Sequence, residues 1–349
     1  MVPLLAVGML AAASWLSSGP IGIAGLAVAL MAAVMAAVHH SELVAHKVGE
    51  PLGTLVLALA VTVIEVALIV TMMLAGGAQA AAVPRDTVLA AIMIICTGVV
   101  GLCLLVGGWR HREQTFRVEG ASAGISVLIA LATLSLVLPT FTTTTRGGTY
   151  STAQLAFAGV ASLVLWLVFV FVQTVRHRGY FLPVDGLHDE NDHATVPSAV
   201  QAWTAVGLLL VSLVAVIGLA KVLSPTIESW VASVGAPKSV IGIVIAMLVL
   251  LPETVAAIRA AHVDRLQTSL NLAIGSALAS IGLTIPVVAA VSVWFDLPLQ
   301  LGVEGKDLVL LMLTFANTTL TLVLGRTTVM QGAVHLVIFA AFLFMSLVP

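Results

Sequence analysis

Charge is scarce in this chain. Lysine and arginine number 14 and aspartate and glutamate 16, or 9% of 349 residues, where a soluble domain carries about 25%. A soluble fold needs a polar skin, and there is too little here to make one. The balance of −2 leaves no electrostatic footprint for nucleic acid, so no nucleic-acid partner is expected. Cysteine is nearly absent. Cys96 and Cys103 stand seven residues apart in one apolar run, about 10 Å along a helix and beyond disulfide reach. Also missing are a His-Glu-x-x-His metal pair and a phosphate-cradling glycine loop. An enzyme is not expected, nor a resident cofactor.

What the chain has is apolar length: 60% hydrophobic residues and a mean hydropathy of +1.16. A bilayer-crossing helix needs about 17–25 apolar residues. Eleven runs qualify, about 3–17, 20–38, 52–75, 87–108, 121–140, 153–175, 199–222, 239–258, 268–294, 307–325 and 329–348. The first resembles a signal peptide but lacks the positive n-region, and reads as a first membrane helix over 1–19. Loops after the second, fourth, sixth, eighth and tenth runs hold nine Lys or Arg, against five on the other side. The positive-inside rule then places the N-terminus in the cytoplasm and the C-terminus outside.

The chain repeats itself. GEPLGTLVLALAVTVIEVALIV and GAPKSVIGIVIAMLVLLPETVAAI each open Gly-X-Pro and reach one glutamate, Glu65 or Glu253, sixteen and eighteen residues on. Each is followed by a helix rich in small residues, around Thr97-Gly98 and Gly275-Ser276. With five runs in each half, 20–175 and 199–349, the second copy enters the membrane in the opposite sense. Inverted repeats with interrupted helices point to a transporter site at the midplane.

A charge at the centre of a membrane helix costs on the order of 3 kcal/mol, so two such glutamates in a charge-poor chain imply a use. The bland alternative is a pair of protonated carboxyls joining helices. Burial disfavours the bare carboxylate, and either a proton or a cation relieves it. Competition for the same oxygens, with access alternating between the two sides, is antiport. Two carboxylates neutralise a divalent cation, which wants about six to eight oxygens if it is calcium. Further donors are offered by Thr62, three residues before Glu65, and by Ser276 and Ser280 on a stripe that also holds Ser269. Asn271 lies on a neighbouring stripe with Gly275 and Gly282, as a further ion donor or as a hydrogen-bond partner of a neighbouring backbone. The Leu248 carbonyl loses its helical donor to Pro252. Small-residue packing is the competing reading for the serines.

Two polar clusters lie outside the repeats' cores. Glu42 and His46, with His39 and His40, stand before Gly49 as an interfacial cap or a site of proton uptake or gating. The connection at 176–198 carries Asp185, Asp189, Glu190 and Asp192, a solvated linker or a weak cation-sensing loop.

The repeats, together with VGLCLLVGGWRHREQTFRVEGASA, VQTVRHRGYFL and LLPETVAAIRAAHVDRLQTSLNLAIGSALASIGLTIPVV, resemble the bacterial ChaA-type calcium/proton antiporters of the cation/calcium exchanger superfamily. The resemblance runs across nearly the whole chain. It implies an all-α polytopic protein of about eleven transmembrane helices, two inverted five-helix repeats plus one peripheral helix, with an acidic connection between the halves. It implies exchange of Ca2+, Na+ or K+, as substrates, for protons. The superfamily's Gly-Asn-x-x-Glu motif maps its glutamates onto Glu65 and Glu253 and its asparagines onto Thr62 and Leu250. The amide donors are therefore missing, which leaves room for sodium or potassium. A passive cation channel is the reading from a different class; only an antiporter moves cation against its gradient when given a pH gradient.

Overall fold

The computed structural model describes residues 1–348 apart from 18, 50, 51, 183–196, 234, 236 and 238. Asp185, Asp189, Glu190 and Asp192 lie outside the described residues. Among those described, the apolar runs form α1 (Val2–Ala11), α2 (Pro20–Val48), α3 (Leu52–Gly76), α4 (Val83–His111), α5 (Val118–Phe141) and α6 (Thr152–Arg176). The second half forms α7 (Ala199–Ser233), α8 (Ser239–His262), α9 (Leu266–Trp294), α10 (Gly305–Val323) and α11 (Val329–Leu347). The chain is an all-α, multi-pass membrane protein.

Fewer than eleven full spans are found among the described residues. Among the described residues nine helices are long and apolar enough to cross a bilayer, and a tenth if the bent α8 is one span. The ten residues of α1 rise about 15 Å, half of a hydrocarbon core of about 30 Å. Two helices outrun their apolar stretches: α2 continues through the histidine cluster to Val48, and α7 runs 35 residues with Pro225 inside it. Helix, once begun, is not ended by a few polar residues at the membrane edge. Gly49 ends α2 with φ 79°, a left-handed conformation that a side chain would resist. Gly235, at the same place before α8, has φ 68°.

The connections gather on two faces. On one, Gln114–Thr115 after α4 pairs antiparallel with Arg326–Thr327 after α10. There too Gln114 Nε2 donates to the Ala261 carbonyl in the last turn of α8, and Arg117 Nε to the Leu182 carbonyl after α6. On the other, Gln300, Leu301 and Gly302 after α9 donate to carbonyls of Ala81 after α3 and Gly148 after α5.

The centre is a four-helix group of α3, α4, α8 and α9. There α3 lies against α9 as α8 lies against α4, and α6 covers α9 as α11 covers α4. α1 packs at the edge on α2 and α7. Small residues allow the close approaches, as is usual between membrane helices. A Cβ on Gly332 of α11 would come 2.6 Å from the Leu105 backbone nitrogen of α4 and 3.0 Å from the Gly101 carbonyl oxygen. Backbone cannot rotate away, so Gly332→Val is expected to destabilise by about 1–3 kcal/mol. A lower unfolding temperature in detergent would register it; an unchanged one would mean α4 and α11 part without loss.

Candidate functional site

Glu65 sits mid-way along α3. α8 bends by 52° between its Ser239–Leu251 and Glu253–His262 segments, so Glu253 opens the second segment. The two side chains are 2% and 4% exposed. Both are moored to one helix: Ser280 Oγ of α9 donates to Glu65 Oε1 at 2.7 Å, and Ser276 Oγ donates to Glu253 Oε2. The two serines are one turn apart, about 6 Å along α9.

Both hydroxyls that bond the carboxyls come from α9. Ser276 follows Gly275, whereas Val99 follows Gly98 on α4. The α9 stripe also continues further than the serines. Thr284, one turn beyond Ser280, buries its hydroxyl with no partner among the described residues, and so does Glu253 its Oε1. The 100° periodicity that joins Ser276 to Ser280 reaches Thr284 as well. These are hard oxygens, suited to alkali and alkaline-earth cations rather than to a thiolate- or imidazole-loving metal. Among the described residues no three His, Cys, Asp or Glu side chains are placed to hold a metal ion together. The remaining ligands of an ion here would be hydroxyls, carbonyls or water.

Other sequence candidates fall differently. Thr62 is buried and donates to the Ala58 carbonyl at 2.8 Å, keeping its lone pairs for another partner. Asn271 is committed elsewhere: it donates to the Phe181 carbonyl and accepts from Gln267 Nε2 at 2.9 Å. That ties α9 to the turn after α6, about 7 Å along the helix from Ser276. Leu248 is half-buried one turn before the α8 bend. Glu42 is half-buried and His46 exposed in the last turns of α2. Cys96 and Cys103 are buried and free.

Two small cavities lie among the same helices, and neither glutamate lines either of them. One, of about 10 Å³, lies between the N-terminal halves of α3 and α9 and α6, with Gln173, Asn271, Ala58 and Gly275 in its wall. The other, of about 30 Å³, lies where α4, α8 and α10 begin and is covered by α11, with Arg85, Asp86, Glu304, Lys306 and Asp307 in its wall. Each has room for about one water or more. Arg85 is held there by Asp86 at 2.8 Å and the Gly302 carbonyl at 3.2 Å. Gln173, buried near the end of α6, carried no signal beyond being a polar residue late in an apolar run.

The whole chain has relatives. Residues 18–175 and 204–348 match the sodium/calcium exchanger protein family. The protein y4hA of Sinorhizobium fredii is 50% identical over 324 residues, 92% of this chain and 87% of that one. The sodium-potassium/proton antiporter ChaA of Escherichia coli is 33% identical over 319 residues, 90% of this chain and 86% of that one. Among solved structures, the H+/Ca2+ exchanger CAX superposes with a TM-score of 0.74, covering 98% of this chain and 86% of that one at 14% identity. By sequence and by fold, the chain belongs to the sodium/calcium exchanger protein family.

Proposed function

We propose that this protein is a secondary cation/proton antiporter that exports Ca2+ in exchange for H+ by alternating access at Glu65 and Glu253. The observation that carries the reading is the pair of buried carboxyls tied to adjacent serines of one helix. A proton or a cation can satisfy these oxygens, and each excludes the other. Calcium is favoured because two carboxylates neutralise a divalent ion. Alternating access is supported by the two cavities. The first is bounded by α3, α6 and α9 and the second by α8, α11 and α4, helices that occupy corresponding places in the halves 20–175 and 199–349. We read those halves as inverted repeats, with α1 peripheral. The even-numbered connections, richer in Lys and Arg, face the cytoplasm across a bacterial inner membrane.

Thr62 and Leu250 favour a second reading, in which Na+ or K+ is the exchanged ion. Neither supplies the amide oxygen that a calcium shell of six to eight ligands would use, and a relative is named a sodium-potassium/proton antiporter. Purified protein in liposomes with an imposed pH gradient distinguishes them. Collapse on adding calcium alone supports the first reading. Equal collapse with sodium or potassium supports the second, and none with any of the three sinks both. In the same assay Ser276→Ala is expected to raise the half-saturating cation concentration about tenfold, the loss of one charge-assisted hydrogen bond or ligand. An unchanged value would leave that serine as packing.

A further inference from the structure

α11 carries a single ionisable side chain, His335, and buries it completely. Its Nδ1 lies 2.7 Å from the Cys96 carbonyl oxygen of α4, and its Nε2 lies 3.0 Å from Thr321 Oγ1 of α10. A carbonyl only accepts, so Nδ1 bears the proton, and the Nε2 of a neutral ring accepts from the threonine hydroxyl. Cys96 belongs to a π turn, Ile94–Val99. There the Val100 N–H bonds to the Ile95 and Thr97 carbonyls, although Cys96 would be its partner in an α-helix. His335 supplies Cys96 with a donor from another helix.

The contact is close by construction. A Cβ on Gly101 would come 3.0 Å from the His335 Cβ, and one on Gly98 3.3 Å from the Phe339 ring. On its other sides the π turn packs against α8, α9 and α10, so its winding shapes the wall that α4 presents to the helix bearing Glu253. We propose that His335 is a positioning residue for exchange, holding the α4 π turn in its wide winding through the Cys96 carbonyl. This rests on the exchange reading above and goes beyond it, because His335 touches neither glutamate's serine partner and no ion.

The test compares His335→Leu, which fills the space without a donor, with His335→Asn, whose amide N–H stands near the place of Nδ1. Cation-driven collapse of a pH gradient in liposomes gives rate and half-saturation. Backbone hydrogen–deuterium exchange over residues 94–101, read by mass spectrometry, reports the π turn directly. For His335→Leu the maximal rate is expected to fall about tenfold with half-saturation unchanged, and the amides of 94–101 to exchange faster. His335→Asn should recover most of both. Wild-type rate and protection in the leucine variant would overturn the proposal, as would equal impairment of the asparagine variant or a shifted half-saturation. If His335→Leu does not fold, His335→Gln replaces it. Its amide reaches the Nε2 place, so impairment of Gln but not Asn is expected, and equal behaviour overturns the idea. Should the wild type move no cation at all, the exchange reading fails, while amide protection still decides whether His335 holds the turn.

Discussion

Liposomes holding the Glu253→Gln protein are expected to keep an imposed pH gradient when cation is added, and Glu65→Gln liposomes likewise. Glutamine nearly matches glutamate in shape, and its carbonyl can still accept from Ser276 or Ser280. It neither takes up a proton nor carries a charge to a cation. Exchange needs a group that holds one ion on one side of the membrane and the other ion on the opposite side. An amide is fixed in a state equivalent to the protonated acid. The exchange rate is therefore expected to fall at least a hundredfold, a change of about 2.7 kcal/mol in barrier. Insertion should be unharmed, since a neutral amide is easier than a charge to place in a bilayer. Monodisperse elution from a sizing column would check that. Full exchange by either variant would remove its glutamate from the mechanism and leave the serine contact as structural glue.

The two glutamates were legible because the membrane makes charge expensive: in a chain with so few acidic residues, one in the middle of an apolar run stands out. The serine partners were legible from periodicity, since Ser276 and Ser280 recur at helical spacing in the run that follows Glu253. What the sequence hid was that both carboxyls bond to the same helix. The two matching glutamate segments suggest a partner for each carboxyl in the opposite half, yet Glu253 bonds Ser276 of its own half. The chemistry of Asn271 suits either an ion or a backbone partner, and the turn at Arg178–Phe181 takes its amide. No local pattern could give that contact, because it joins residues 90 apart in the chain. The π turn at Ile94–Val99 was hidden for a related reason: its winding is held by packing and by His335, not by a propensity of its own residues.

Cation binding is expected to strengthen steeply as pH rises. If a cation displaces n protons from the carboxyls, its apparent dissociation constant falls about 10ⁿ-fold per pH unit wherever the ion-free carboxyls are protonated. One shared proton gives tenfold and two give a hundredfold. The sign follows from mass action, since fewer protons in solution leave the oxygens open to the cation. The dependence flattens at a pH high enough to leave both carboxyls ionised before the cation arrives. Calorimetry of detergent-solubilised protein in buffers of different ionisation enthalpy counts the released protons directly. Glu65→Gln should reduce that count by the share Glu65 contributes, even though the variant exchanges nothing. Ser276→Ala should weaken binding at every pH and leave the slope unchanged, because a hydroxyl adds affinity without giving up a proton. A binding constant indifferent to pH would mean that proton and cation do not compete at these oxygens. Coupling would then have to arise from a proton carried somewhere other than Glu65 and Glu253.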